Sequence, residues 1–561
     1  MPRMDVLFIG AVMNYDGAVG SHAHHIRRNG RWESPFQYIH EKRPQLFKSE
    51  ADACVYSLPN LSICKMADYL KRRIEDLNFH IVWHFDYHKE EVLEILQNSP
   101  PHIVAISSTL AFYPQYLNDA IRWINAHKQP ETKIAIGGKW IFDRYKVLQF
   151  GPRLETIFVQ GGADYYVMNG YGEETLYQLL LAEKAGDVAR AQALPSVAYK
   201  RRATVGGAAA ANPTYAGKYY HMNRVVDETQ TPGRPMIDFA NIGEQFLNKT
   251  VHVRTAVSCP FSCRFCTFPV LQGEHQLFEI DDVMTQLHQL KRMGVTHAYF
   301  IDDTFNVPKR RFEDLLDRMI KERLGMEWVG FFRAQYADAT IVEKMRDAGC
   351  RIVFCGFESG NDDILKRMDK HVTVSQYLDG LDFLDKANIE VMASYIVGYP
   401  GETYDSAMDT LKLLSHPKVG FSRGGLFYYE PNAPVARFAK DWGLTGVGAE
   451  WSHNTMNSKE AQRLHLEMID RLTGVNIPVS DGGGWNNFHL FARGVSFEEQ
   501  KVLFREFNTI QKQQIKEAGE EAVDHYRAFA GQPKRRDQEK EEPAAPITSG
   551  GSENFIPAMD F

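Results

Sequence analysis

Short apolar runs alternate with amphipathic stretches along most of the chain. Val6-Leu7-Phe8-Ile9, His80-Ile81-Val82-Trp83, Ile103-Val104-Ala105-Ile106 and Lys133-Ile134-Ala135-Ile136 read as strands. Pro59 to Leu77, Glu90 to Gln97, Tyr116 to Ala126 and Glu173 to Ala185 read as helices between and after them. Thr156 to Val159 and Tyr165 to Val167 are expected as further short strands. Strands alternating with helices over residues 1–200 imply a parallel sheet covered on both faces. Ligands of such sheets bind beyond the carboxyl ends of the strands.

Residues 201–250 are expected as a linker, with the low-complexity run Val205 to Ala211 and prolines at 213, 232 and 235. A second alternating series fills 251–430. Strands are placed at Val251–Ala256, His297–Ile301, Trp328–Phe332, Arg351–Phe357, Glu390–Val397 and Gly420–Tyr428. Helices fall near 279–293, 309–323, 338–348, 361–387 (in two pieces) and 403–415. This α/β pattern fits a partial (β/α)6 barrel, whose working groups belong at the C-terminal strand ends. Residues 431–530 read as mostly helical, and 531–561 have the composition of a disordered tail.

The charge balance adds little beyond exclusions. The chain has 561 residues, 44% hydrophobic and 24% charged, with a formal net charge of −7. Collagen-like, coiled-coil and wholly disordered classes are excluded, and no basic footprint points to nucleic acid. No apolar run approaches a membrane span. The first residues look only faintly like a signal peptide, so a cytoplasmic protein is expected. The seven cysteines are an odd number and argue against a disulfide framework.

Three of those cysteines fall in Ser258-Cys259-Pro260-Phe261-Ser262-Cys263-Arg264-Phe265-Cys266-Thr267, directly after a strand. The spacing C-x3-C-x2-C offers three thiolates to a 4Fe–4S cluster and leaves one iron open. A zinc site would call for a second paired ligand set, and none lies nearby. Cys350 and Cys355 read as small buried apolar residues. The cysteine loop at the end of the first of six strands, with Phe265 at the aromatic position, resembles the radical S-adenosylmethionine (SAM) superfamily. The resemblance implies a cluster held by Cys259, Cys263 and Cys266. It implies SAM contacts at Phe265, at Asp302 and Asp303, at Arg333, at Glu358 and Ser359, and at Gly398 and Tyr399.

The first domain resembles the cobalamin-binding, Rossmann-like domain that precedes many radical SAM barrels. Matching positions are Ser108 and Leu110 after the third strand, Gly137 and Gly138 after the fourth, and Gly170 and Gly172 before the last helix. Small residues there let a nucleotide tail approach the backbone. Such domains often place a cobalt-ligating His after the first strand. Here Gly10 to Gly17 has none, so no His lower ligand is expected. Asp86-Tyr87-His88 imitates that motif after the wrong strand. His22, His24 and His25 are expected at the surface or in local caps.

Together these resemblances imply a class B radical SAM methyltransferase. Its cofactors would be the cluster, SAM and cobalamin. It would methylate an unactivated carbon or a phosphinate phosphorus through a 5′-deoxyadenosyl radical and methylcobalamin. Ring contraction or oxidative cyclisation without methyl transfer is the second expectation, and a cluster- and cobalamin-binding sensor the third. A small-molecule or peptide substrate and an electron donor such as flavodoxin or ferredoxin are the expected partners, with no nucleic acid and no membrane. Tyr429, His453 and Trp485 are candidate catalytic residues in aromatic- and amide-rich segments.

Overall fold

The computed structural model describes residues 3–12, 21–47, 49, 54–110, 114–201, 213–226, 236–477 and 485–529. The tail at 531–561 lies outside the described residues. Two sheets organise the molecule. The first contains β1 (Val6–Ala11), β2 (Phe79–His84), β3 (Ile103–Ser107), β4 (Lys133–Gly137), β5 (Tyr165–Val167), β6 (Val197–Lys200), β7 (Tyr215–Ala216) and β8 (Tyr220–Met222). Their spatial order is β2-β1-β3-β4-β5-β6-β8-β7. The first five are parallel, and β6 joins β5 antiparallel. The chain reverses direction of travel between β1 and β3, and the crevice at that switch point is where such sheets bind ligands.

Two sequence expectations need correction here. Thr156 to Val159 is not a strand but part of the helix Pro152–Gly161. Leu154, Phe158 and Gly161 line its buried face, and Pro152 starts it at a position that needs no N–H donor. The expected linker 201–250 also contains β7 and β8, a hairpin that extends the first sheet. Tyr220 donates its hydroxyl to Ala163 O at 2.6 Å and so ties this hairpin to the sheet.

The second sheet is β9 (Thr250–Val253), β10 (His297–Phe300), β11 (Glu327–Phe331), β12 (Cys350–Glu358), β13 (Glu390–Val397) and β14 (Phe421–Leu426). All six are parallel and lie in sequence order, the arrangement of a partial barrel. Alternation along the strands sorts the side chains between two cores. Ala298, Phe300, Val353, Val391 and Ala393 pack outward against helix residues such as Leu287, Leu316 and Leu381. Tyr299, Val329, Ile352, Phe354, Met392 and Phe421 belong to a different core, shared with Phe36, Ile39, Val475, Phe488, Phe504 and Phe507. Segments from both sides of the barrel in sequence therefore close its floor.

Polar caps explain where the surrounding helices start. Asp338 accepts from Ile341 N, and Thr373 and Thr403 form capping boxes with Gln376 and Ser406. Named bonds tie the first domain to the segment that leads into the second sheet. Trp83 donates its indole N–H to Phe246 O at 2.8 Å, and Asn241 donates to Asp68 at 2.7 Å.

Candidate functional site

The cysteine loop follows β9. Ala256–Val257 pairs antiparallel with Gln276–Leu277, so the intervening residues form a closed excursion with pinned ends. Ser258 takes φ +67°, and its hydroxyl donates to Gly273 O at 2.7 Å. Arg264 N donates to Met368 O and Val435 N donates to Arg264 O, both at 2.8 Å. The Arg264 guanidinium lies 4.4 Å from the Phe438 ring centre. Segments beyond β12 and β14 thus clamp the loop from two sides.

Cys259, Cys263 and Cys266 are all free thiols. Burial pushes the Cys259 and Cys266 thiols up, and the neighbouring cysteine sulfurs push in the same direction. Three such thiolates are tolerable only beside strong positive charge, which a metal cluster supplies. Among the described residues, no group of three His, Cys, Asp or Glu side chains has the arrangement that one metal ion needs. A cluster makes a different demand, since each thiolate meets its own iron. The donor set fits that group. The Thr304 hydroxyl lies 3.2 Å from Cys259 Sγ.

The two aspartates at the end of β10 face different tasks. Asp302 is buried, and its carboxylate accepts from Thr255 N at 2.7 Å, from Ala256 N at 2.9 Å and from the Thr255 hydroxyl. Burial raises its pKa and those hydrogen bonds oppose the rise. These bonds fix the entry to the cysteine loop, so Asp302 has a structural engagement beside the SAM contact expected of it. Asp303 is half-buried beside the cysteines and couples electrostatically to Cys259 and Cys266.

Arg333 is buried just after β11, with its guanidinium 3.6 Å from the Phe261 ring centre. One nitrogen donates to Lys370 O at 2.7 Å. The other, Nη1, is buried and has no partner among the described residues. An orphan donor of this kind costs about 1–3 kcal/mol, and a ligand acceptor would recover that cost. Glu358 ends β12 at φ +63°, next to an irregularity in strand register. Its carboxylate meets Lys370 Nζ at 3.1 Å, and that ammonium lies 5.6 Å from the Phe265 ring centre. Lys370 escapes sequence reasoning, because it follows a helix in a loop without motif spacing.

Other expected residues are also engaged with the scaffold around them. The Ser359 hydroxyl lies 3.3 Å from that of Thr410 and accepts from Asn361 N at 3.2 Å, so it is engaged with the helix after β12. Gly398 takes φ +88°, and a Cβ there would run into the Trp451 ring. Gly398 N donates to the buried Glu402 carboxyl, which burial pushes up to about 8. Tyr399 is fully buried. His453 stacks on Trp451 at 5.0 Å, and its Nε2 lies 3.0 Å from Gly398 O. Its Nδ1 faces Thr455 N and Met456 N at 3.3 and 3.4 Å. The Thr455 hydroxyl lies 3.1 Å from the same Nδ1, so His453 is engaged at both ring nitrogens and braces the Gly398 loop. Tyr429 is buried, and its backbone pairs with Gly448. The side chain of Trp485 lies outside the described residues.

In the first sheet, the expected small residues lie at and beyond the carboxyl ends of β3, β4 and β5. Ser108 is buried; its hydroxyl donates to Gly137 O at 2.8 Å and accepts from Ile141 N at 3.3 Å. Gly138 takes φ +101°, and a Cβ there would press on Thr109. Leu110 is half-buried on the same rim. Gly170 and Gly172 line the approach from β5, where a Cβ on Gly172 would meet Val167 at 3.0 Å. Part of the loop after β1, 13–20, lies outside the described residues. His88 Nδ1 is 2.8 Å from His84 O, a local contact. His22, His24 and His25 are buried, contrary to expectation, in an aromatic cluster with Trp32, His525 and Tyr526.

Comparison with known proteins agrees with this geometry. Residues 253–414 match the family model of the radical SAM superfamily. An uncharacterised methyltransferase of Pyrococcus horikoshii is 27% identical over 175 residues, covering 30% of this chain and 38% of that protein. A tRNA-2-methylthio-N(6)-dimethylallyladenosine synthase of a Sulfurihydrogenibium species is 27% identical over 192 residues, covering 32% and 44%. The chain thus spans about two-fifths of the length of these curated relatives. Among solved structures, the radical SAM methyltransferase TsrM of Kitasatospora setae, with cobalamin and a [4Fe-4S] cluster bound, has a TM-score of 0.51 at 14% identity, covering 78% of both chains. The cobalamin-dependent SAM radical enzyme OxsB with aqua-cobalamin bound has a TM-score of 0.52 at 13% identity, covering 94% of this chain and 78% of that one. At such identities the likeness is one of fold. Among the described residues no helix is long and apolar enough to cross a membrane.

Proposed function

We propose that this protein, whose residues 253–414 are a radical SAM domain, is a cobalamin-dependent methyltransferase acting on an unactivated position of a small molecule or peptide. The observation that carries the reading is the pairing of two features. A pinned loop presents three free thiols at the rim of a six-stranded parallel barrel. A second sheet in the same chain presents a Gly-Gly turn at the carboxyl end of β4, packed against the end of β3.

When bound, the cluster, SAM and cobalamin supply an electron, a radical source and a methyl carrier, the chemistry that protein side chains lack. The chain's part is to hold and orient. Cys259, Cys263 and Cys266 would hold the cluster, and Asp302 keeps their loop entry in place. The orphan N–H of Arg333 suits a carboxylate, and Asp303 suits an ammonium, so the two would orient the zwitterionic end of SAM. Glu358, held by Lys370, would receive hydroxyl donors. The Gly398 loop, braced by Trp451 and His453, would lie against the adenine. Ser108, Leu110, Gly137, Gly138, Gly170 and Gly172 would line the course of the cobalamin tail.

The test uses oxygen-free protein loaded with cluster and cobalamin, given reductant and SAM. 5′-Deoxyadenosine and S-adenosylhomocysteine are measured together by mass spectrometry. Both are expected. Deoxyadenosine without S-adenosylhomocysteine would overturn methyl transfer and favour cyclisation or ring contraction. Replacing any one of the three cysteines with Ala is expected to abolish both products.

A further inference from the structure

Beside the cysteine loop lies a face of unpaired cations. Arg264 sits between Cys263 and Cys266, and its backbone is clamped by Met368 O and Val435 N, both at 2.8 Å. Those clamps bring two charged segments to the loop. One is the helix Asp362–Arg367, which carries Lys366 and Arg367. The other runs through Pro434–Phe438 and Ala439–Trp442 and carries Arg437 and Lys440. Arg264 Nη1 donates to Arg367 O at 3.0 Å, a further tie to the first segment. Lys366, Arg367, Arg437 and Lys440 are exposed. Among the described residues, neither they nor Arg264 make an ion pair.

Cations on other barrel helices and loops find carboxylates close by. Lys309 pairs with Asp338, Arg318 with Asp281 and Glu322, Lys344 with Asp317, and Lys418 with Asp382. The whole chain has a formal net charge of −7, so this face runs against the general sign. The acids beside it do not cancel it. The Asp369 carboxylate already accepts from the Ser262 hydroxyl at 3.3 Å and lies 3.4 Å from His371 Nε2. Asp441 is a single charge next to Lys440. Two of the cations are also held in place. The Arg264 guanidinium lies 4.4 Å from the Phe438 ring centre and that of Arg367 lies 5.5 Å from the Trp442 ring centre. Those two rings stack on each other at 4.9 Å. Guanidiniums laid on a shared aromatic platform lose less freedom when a partner arrives.

The chemistry next door selects the partner. A cluster that cleaves SAM consumes an electron, which has to enter from outside the chain. Its donor must come close to the three cysteines, and Arg264 stands between two of them. Unpaired cations attract a negatively charged surface and speed its encounter. We infer that Arg264, Lys366, Arg367, Arg437 and Lys440 form the docking face for a small acidic protein that carries one electron, of the flavodoxin or ferredoxin kind. On docking, the carrier is oxidised by one electron and the cluster is reduced by one, and no bond or proton changes hands. The electron transfer rests on the cluster reading of Cys259, Cys263 and Cys266; the docking does not. Nucleic acid is the poorer fit, because the face is compact and the acidic chain around it repels an extended phosphate backbone.

The experiment uses the full chain loaded with cluster and cobalamin, without oxygen. A bacterial flavodoxin and a bacterial ferredoxin are each titrated by calorimetry at low and high salt. Cluster reduction by each reduced carrier is followed by rapid-freeze electron paramagnetic resonance. Dithionite, an anion, and reduced methyl viologen, a cation, are small controls that need no docking. At least one carrier is expected to bind, and more weakly at high salt; the one that binds tells the two kinds apart. Lys366→Glu combined with Lys440→Glu is expected to weaken that binding about tenfold or more and to slow reduction by the carrier in proportion. Both small reductants are expected to reduce this variant fully, which a misfolded chain would not allow. Lys386→Glu, at the far end of the barrel where the helix Val374–Lys386 leads into β13, is expected to change neither binding nor rate. Failure of both carriers to bind, binding indifferent to salt, or a double variant that behaves like the parent overturns the docking face. So does transfer RNA that binds the parent and not the double variant while the carriers ignore the substitutions. Absence of a reducible cluster would strike the cluster reading, and the calorimetry would still decide the face.

Discussion

Lys370 Nζ lies 3.1 Å from Glu358 Oε1, and each side chain is only 10% exposed. The pair joins the end of β12 to the loop after the helix Asp362–Arg367. The backbone carbonyl of Lys370 also accepts from Arg333. One residue therefore ties two proposed SAM contacts together.

Lys370→Met leaves the buried Glu358 carboxylate uncompensated. Loss of one partner of a buried pair costs about 3–5 kcal/mol. The expected result is a lower urea midpoint and weaker SAM binding by equilibrium dialysis. Lys370→Met combined with Glu358→Gln is expected to recover much of the stability and little of the SAM affinity. Recovery of both would show that the pair only supports the fold.

Asp302 and Asp303 are neighbours with opposite assignments. Asp302→Ala orphans the Thr255 and Ala256 N–H groups, each at about 1–3 kcal/mol when buried. Iron content after reconstitution is expected to fall. Asp303→Ala is expected to keep the iron and to weaken SAM binding about tenfold or more, the loss of a charge-assisted bond. Equal iron loss in both variants would contradict the division of labour.

The buried Glu402 sets a pH dependence. Its folded pKa is raised from the usual 4.5 to about 8. Between those values the folded chain holds a proton that the unfolded chain has released. Stability from this group is full below 4.5 and is lost as pH rises towards 8, at about 1.4 kcal/mol for each tenfold difference in proton affinity between the two states. Glu402→Gln is expected to flatten the fall in unfolding midpoint from pH 5 to pH 8.

The buried histidines act in the opposite direction. Burial lowers His24 to about 4 and His465 to about 3. Here the unfolded chain binds the protons first, near pH 6.5. Stability from these groups is present above 6.5 and is lost as pH falls towards 4 and then 3. His465 Nδ1 is 2.9 Å from the Tyr526 hydroxyl and Nε2 is 3.1 Å from that of Tyr395. Hydrogen exchange in the helix Glu520–Phe529 is expected to accelerate at pH 5 before exchange in β13 does. Simultaneous acceleration would contradict a locally placed acid sensitivity.

The barrel is legible in the sequence because its strands and helices alternate cleanly. Glu390–Val397 has the same bounds in sequence and structure, and the cysteine loop follows the first barrel strand as expected. Thr156 to Val159 misleads because β-branched residues occupy one helical turn. The deciding contacts come from the Phe158 ring, stacked on Tyr166 at 4.1 Å, and no local pattern encodes them. The hairpin at 215–222 carries a usable signal, aromatic residues around Gly217-Lys218, masked by the low-complexity run before it. Lys370 is illegible, since its meaning depends on partners distant in sequence, Glu358 and Arg333. His453 stands out in the sequence for its polar, aromatic stretch, and only the tertiary structure shows it bracing the Gly398 loop.

The closed floor of the barrel bears on synthesis order. Tyr299, Phe354 and Phe421 rest on Phe488, Phe504 and Phe507. A ribosome releases every strand of the first sheet once the hairpin ending at Met222 has emerged, although one face of that sheet belongs to a core shared with later residues such as Val251 and Leu287. The barrel must wait until Phe507 has followed, with its inner apolar surface open to water until then. The nascent chain thus passes through an interval in which apolar faces of both sheets wait for segments still to come. Cluster insertion before Phe507 has emerged would be insertion into an unsealed vessel.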